Sequence, residues 1–423
     1  MDISKLKEFL QKLSFLKDYS SLMVPAIIML AALILFIPSK FMRGKLEKKI
    51  ASETVSMGKK VQALSKNVIS INQWEKERDY QQAYENDANQ IALLAMQTTQ
   101  RELLSYKIFP KPSDTSMLIF QEFGRQFYDS IDKLIARENA RDCPTAGELE
   151  RSLRSSSGSK QAGSFRDSKE VSVTIKEVLC REKAESASFY LNPADLAGYE
   201  FWENYEYSGM NEAIEDCWYY QLAYWIMEDV IDTASALNAG SKSVFTSPVK
   251  RIMSVNFKPR KGEARDKLGK KKEDRPAYVL SNESVFTEPC TGRLCNDDID
   301  VVHFNVGIVI DSRAVLQFMR QLCSAKEHKF RGFSGDAPEQ ILKHNQITIL
   351  ESKIVSIDQN SEVHALYRYG DDAVVQLDLV CEYVFNKKGY DEIKPKLVKK
   401  SQKQGDGQEG EEEEGEGEGQ EEE

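Results

Sequence analysis

Val302–Cys323 reads VHFNVGIVIDSRAVLQFMRQLC. From Val301 to Ile310 the chain alternates, with Val302, Phe304, Val306, Ile308 and Ile310 on one face and His303, Asn305 and Gly307 on the other, which predicts a half-buried strand. Asp311 or Ser312 is then placed to cap a helix whose apolar face is Val315, Phe318, Met319 and Leu322. Further periodic elements lie on both sides of this stretch. Upstream, a long helix from about Asn211 to Ala239 closes at Gly240. A strand at Arg251–Phe257 follows, with Met253, Val255 and Phe257 inward. Downstream, Gln346–Ser356 and Val374–Phe385 read as strands, the last with Val375, Leu377, Leu379, Cys381, Tyr383 and Phe385 alternating. The order is helix–strand–strand twice over. A four-stranded antiparallel sheet covered on one face by two helices buries every alternating face, so the expected fold is α+β, a ferredoxin-like αββ-αββ sandwich over 211–386. Residues 258–298 interrupt it as an insertion. Its first part is basic, with eleven Lys or Arg between Lys250 and Arg275, and a hairpin strand is expected near Tyr278–Phe286.

Far upstream lies a second decisive stretch, Tyr19–Ser39, YSSLMVPAIIMLAALILFIPS, which carries no charge. As a helix it would be about 31 Å long, matching the ~30 Å hydrocarbon core of a bilayer. The expectation is a single transmembrane helix over 19–39, anchored by Leu22, Val24, Ile27, Ile28, Leu30, Leu33, Leu35 and Ile37. The stretch exceeds the h-region of a signal peptide and no A-x-A site follows it, so a retained anchor is preferred to a cleaved leader. Residues 1–18 form a short amphipathic leader with Ile3, Leu6, Leu10, Leu13 and Leu16 at helical spacing. Lysines flank the span on both sides, so charge does not fix its orientation; the N-terminus is taken as inside.

Between anchor and sandwich, residues 40–108 contain no proline. Ile50, Met57, Val61, Leu64, Val68 and Ile71 fall at d–d–a–d–a–d heptad positions, the seam of a short coiled coil, with a charged helix packed on its own domain as the alternative. Lys111-Pro112-Ser113-Asp114 restarts the chain, with Ser113 or Asp114 placed to cap the next helix, which Met117, Phe120, Phe123, Phe127, Ile131 and Leu134 mark. Residues 109–210 form a helical, aromatic-rich region, interrupted by a flexible loop at 151–168. The aromatics from Phe189 to Tyr207 read as core, with a sugar- or protein-binding platform as the second reading.

The chain has 57 Lys or Arg against 67 Asp or Glu, a net charge of −10. Residues 401–423 hold eleven acids and one base, so the remainder carries 56 of each and is neutral. No basic footprint for nucleic acid is present. The segment 387–423 is expected to be a disordered acidic tail, because glycine and glutamate bury no core. It either stays solvated or captures cations or a partner. Seven cysteines show no C-x-x-C. Cys290 and Cys295 could close a small disulfide across Thr291-Gly292, with free thiols or a metal site including His303 as the other readings. Four scattered histidines, with no H-E-x-x-H, G-x-S-x-G, Walker A or G-x-G-x-x-G, assemble no nucleophile with its base. No catalytic residue, metal or cofactor is therefore expected. His303 reads as a solvated histidine on the outward strand face, and Asp297, Asp298 and Asp300 lack EF-hand spacing.

An apolar span, a coiled-coil helix and an αββ-αββ domain together resemble the PilO-like family of type IV pilus and type II secretion alignment proteins. The resemblance is carried by Val302–Cys323 and by AVVQLDLVCEYVF at Ala373–Phe385, and covers most of 19–386. It implies a non-enzymatic structural component of an envelope-spanning machine, in the inner membrane with the bulk of the chain in the periplasm. The implied partners are PilN- and PilP-like proteins, in a homo- or heterodimer. The alternative is a membrane-anchored sensory, ligand-binding or glycan-binding domain.

Overall fold

The computed structural model describes residues 20–66, 71–157, 167–259, 274–288, 290–359 and 361–407. The leader 1–18, Val68, the centre of the basic insertion and the tail from 408 lie outside them. The chain divides into two units, Met1–Ala88 and Asn89–Glu423.

In the first unit, α1 (Ser20–Ile50) passes through a π-helical stretch, Ala51–Val55, into α2 (Ser56–Lys66). Helix α3 (Ile71–Gln97) begins in this unit and ends in the second. The transmembrane expectation is corrected here: no helix among the described residues is long and apolar enough to cross a membrane. The helix containing the apolar stretch runs without a break into Lys40, Arg43, Lys45, Glu47, Lys48 and Lys49. The single-pass anchor over 19–39 and the inner-membrane, periplasmic location that depended on it are withdrawn with it. Of the heptad positions, Ile50, Met57, Val61, Leu64 and Ile71 are all exposed. A π turn holds more residues than an α turn, so it rotates Ile50 out of line with Met57, Val61 and Leu64.

The second unit is built on a five-stranded sheet. Its strands are β1 (Tyr190–Leu191), β2 (Val249–Asn256), β3 (Ile299–Asp311), β7 (Val374–Asn386) and β6 (Ile347–Ser356), in that order across the sheet. The two-residue β1 is parallel to β2, and the other pairings are antiparallel. The four long strands lie within two residues of the expected positions. Val302, Phe304, Val306, Ile308 and Ile310 pack with Leu377, Leu379 and Cys381 in one core. Against this face lie α8 (Met210–Leu237) and α9 (Val315–Leu322), whose Phe318 and Leu322 join the same core. Asp311 caps the turn into α9, its carboxylate accepting from the Arg313 N–H at 2.9 Å.

Three features depart from expectation. A register shift between Ile252 and Ser254 turns Ile252 into the main core in place of Met253, which packs against the opposite cluster around Val309 and Tyr369. A separate hairpin of β4 (Lys326–Phe330) and β5 (Gln340–His344) lies between α9 and β6. Tyr278–Phe286 is not a strand; Tyr278 makes only an isolated bridge to Val302. The aromatic-rich region belongs to the same core: α4 (Met117–Arg137) contributes Phe120, Phe123, Phe127 and Ile131. Its cap is Ser116 rather than Ser113 or Asp114, with Oγ accepting from the Leu118 N–H at 3.2 Å. Helices α5 (Ala146–Ser157), α6 (Asp167–Ser186) and the short α7 (Tyr199–Glu203) complete the region.

Past the sheet, residues 387–407 are not tail. They form α10 (Lys387–Tyr390) and α11 (Lys396–Gly407), with Tyr390, Ile393 and Val398 buried. The buried Lys394 Nζ pairs with Asp300 at 2.6 Å, and Tyr390 donates to the same carboxylate.

Candidate functional site

A dense set of directional contacts among the described residues of the second unit surrounds the end of α3. Thr98 Oγ1 accepts from Gln346 Nε2 at 2.6 Å, and Thr99 Oγ1 donates to the Asn386 carbonyl at 2.9 Å. The Gln100 carbonyl lies 2.9 Å from His328 Nε2, which as donor leaves Nδ1 the unprotonated, unpartnered nitrogen. The Glu102 carbonyl accepts from Trp225 Nε1 at 2.9 Å, and the Leu104 N–H donates to Gln221 Oε1 at 2.7 Å. Between them Arg101 lies buried against α8.

Arg101 Nη1 donates to Asp229 Oδ2 at 3.1 Å and to the Tyr383 hydroxyl at 3.0 Å. Nη2 stands 3.0 Å from Asp229 Oδ1 and 2.7 Å from Glu228 Oε2. Tyr383 donates in turn to Asp229 Oδ2 at 2.9 Å. His344 Nε2 lies 3.4 Å from Asp229 Oδ1, within ion-pair reach but outside hydrogen-bond geometry. Burial alone would lift the Asp229 carboxyl; the Arg101 guanidinium and then His344 outweigh it and hold the group well below the usual carboxylate range. Burial, followed by the Arg101 charge, drops His328 to about 4. Helix α8 presents Gln221, Trp225, Glu228 and Asp229 at steps of four, three and one, which is one helical face.

An aspartate, a histidine and a tyrosine in contact are the raw material of acid–base chemistry. Here the Arg101, Asp229 and His344 side chains and Tyr383 are each at most 4% exposed, so no reactant reaches them while the fold is closed. What the arrangement does is fix a backbone segment. Gly389 on α10 completes it: a Cβ at that position would collide with Thr99 Oγ1 and the Met96 carbonyl oxygen. The last turn of α3 thus packs against bare backbone.

The residues singled out by sequence fall elsewhere. Cys290 and Cys295 are free thiols, and Cys295 Sγ is engaged by the backbone of Val301. Asp300 is committed to Lys394, and Asp298 lies 3.4 Å from Lys388. His303 does lie on the face away from the helices, but it is buried, not solvated. Phe286 covers it, and its Nδ1 accepts the Phe286 N–H at 3.2 Å. Burial lowers its pKa to about 4. The contacts at Arg101 were missed, although Gln221 and Asp229 within a helix otherwise rich in Trp, Leu, Ile and Val were a readable signal.

No family model matches the chain, and no curated protein matches it. A solved structure from Akkermansia muciniphila is similar over 73% of this chain and 97% of that one, with 9% identity and a TM-score of 0.23. At those values neither fold nor function carries across.

Proposed function

We propose that this protein is a structural, protein-binding component of a multiprotein assembly of the pilus or secretion type. It associates through the heptad face of α2 and α3 and holds the end of α3 fixed on the sheet domain. The observation that carries this reading is the set of contacts between Thr98 and Leu104, which locks the exit of a long helix onto β4, β7, the residue preceding β6 and α8. A locked helix end suits a part that transmits position between partners. The exposed Met57, Val61 and Leu64 are the apolar residues such a helix would bury against another helix. The kind of assembly, and PilN- and PilP-like proteins as partners, come from the PilO-like strand patterns.

The test is association of the full chain. Val61→Asp with Leu64→Asp places two carboxylates on the seam, where each would be buried unpaired in a coiled coil at a cost of several kcal/mol. Crosslinked dimer and co-purified partners are expected to disappear while the unfolding transition of the second unit stays put. Unchanged crosslinking and an unchanged partner set would overturn the proposal.

A further inference from the structure

A groove of about 540 Å³ lies between α4 and the C-terminal end of α7. One wall is a single stripe of α4, Gln121, Gly124, Arg125, Tyr128 and Asp129; the other is Trp202, Glu203 and Tyr205. From Gln121 to Tyr128 the stripe is about 10 Å long, which is the length of one or two sugar rings. Gly124 makes the groove possible: a Cβ there would stand 2.7 Å from the Trp202 ring, so any larger residue would push the indole out. At one end Tyr128 and Tyr199 close together, ring centroids 3.9 Å apart, with Tyr199 donating to Asp132 at 3.1 Å. Alongside, Trp202 and Tyr205 lie 4.6 Å apart.

Three polar groups of this groove are uncommitted, unlike others on α4. Glu122 pairs with Lys107, and Arg137 with Glu138 and Asp232. Gln121, Arg125 and Asp129 make no hydrogen bond or ion pair among the described residues. Arg125 and Asp129 are four apart, the spacing at which opposite charges on a helix ordinarily pair, and they do not. The Trp202 Nε1–H is also buried without a partner. The groove therefore offers both donors and acceptors beside aromatic rings. Its charge is nearly balanced, with one guanidinium against two carboxylates.

Each feature selects against a class of ligand. Two carboxylates repel anions and phosphates. A proline-rich peptide would cover Arg125, Asp129 and Glu203 with rings that return no hydrogen bonds, leaving them unsatisfied. A sugar hydroxyl both donates and accepts, and the C–H face of a pyranose lies flat on an aromatic ring. We propose that this groove binds a neutral saccharide of one or two pyranose rings, stacked against Tyr128 and Tyr205 and hydrogen-bonded by Arg125, Asp129 and Glu203. This is independent of the association helix.

The experiment is saturation-transfer-difference NMR with titration of the full chain against maltose, cellobiose, lactose and N,N′-diacetylchitobiose. At least one is expected to bind with Kd at or below about 10 mM. Tyr205→Ala and Asp129→Ala are each expected to weaken it at least about tenfold, as loss of a stacking surface or of a paired acceptor does. Asp129→Asn keeps the side-chain shape and serves as the control should either alanine variant unfold; it is expected to weaken binding as well. The Val61→Asp, Leu64→Asp chain should bind as before. Absence of binding by all four sugars overturns the proposal, as does binding that is unaffected in the folded variants. A proline-rich decapeptide that binds in a Tyr205-dependent manner where the sugars do not would overturn it too.

Discussion

Arg101 and Asp229, 128 residues apart in sequence, meet as a two-armed fork, Nη1 at 3.1 Å from Oδ2 and Nη2 at 3.0 Å from Oδ1, with both side chains out of water. The pair is more informative about attachment than about stability. A buried ion pair gains little over a well-packed apolar pair, because desolvation offsets most of the attraction, whereas removing one partner strands the other charge. Arg101→Met is therefore expected to lower stability by about 3–5 kcal/mol. The double variant Arg101→Met, Asp229→Leu should recover part of that loss. Urea unfolding reads both. A loss under about 1 kcal/mol for Arg101→Met would mean the fork is wet.

Gly389 makes a sharper test of the locked helix end, because it has no side chain to lose. Gly389→Val would introduce a branched Cβ where Thr99 Oγ1 and the Met96 carbonyl already sit. Over-packing of this kind costs about 1–3 kcal/mol, relieved by moving whichever element is less constrained. The expected outcome is local: amides of residues 96–101 exchange faster with solvent, while those of β3 and β7 keep their protection. Uniform loss of protection across the sheet would show that the helix end and the sheet unfold as one unit.

How much of this was legible in the sequence depends on which side of the sheet is considered. On the helix-covered side, alternation alone placed the four long strands, because a face with one fate writes a period of two. The other side was unreadable. His303 and Asn305 look like solvent-facing polar residues; Phe286 against the imidazole, and Asn256 with the Lys258 carbonyl on the Asn305 amide, make them interior. The β4–β5 hairpin was missed for a related reason: its inward residues alternate as His328, Phe330, Leu342 and His344, half of them polar. Met253 lost its place to Ile252 through a bulge, which no periodicity anticipates. The contacts around Arg101 join α8, which is periodic, to residues 98–104, which are not.

Two of the four buried histidines give the protein a defined acid response. His303 and His328 are each held near 4 by burial, against about 6.5 in an unfolded chain. Between those values the unfolded chain binds protons that the folded chain does not, so stability falls as pH drops from about 6.5 toward about 4. Asp232 opposes this: burial lifts it to about 6, so the folded state takes up its proton first and gains stability over much of the same range. Asp195 and Asp274 are also raised by burial and act in the same sense as Asp232. His364 is lowered by burial too and acts with them, so replacing His303 and His328 with glutamine weakens that side of the balance. Urea midpoints at about pH 7, 5.5 and 4.5 should then fall less steeply, or rise, on acidification. An unchanged slope would mean that both imidazoles are hydrated.

Neighbouring residues on β3 separate the two faces of the sheet. Phe304 lies in the main core with Leu379, so Phe304→Asp or Leu379→Asp puts a carboxylate where helices and sheet meet, and should abolish folding of the second unit. His303→Ala would be nearly silent were the imidazole solvated, as its alternating position suggests. Because the ring is buried and accepts the Phe286 N–H at 3.2 Å, the substitution removes packing and leaves a buried donor unpaired. The expected loss is about 1–3 kcal/mol. Faster exchange is expected at the Phe286 amide in particular, since His303 is its acceptor. Measured by urea unfolding, a His303→Ala loss below about 0.5 kcal/mol would place the ring in water and the covering segment off the sheet. A loss in the expected range together with intact association through α2 and α3 would show that the outer face matters for holding the covering segment down and not for assembly.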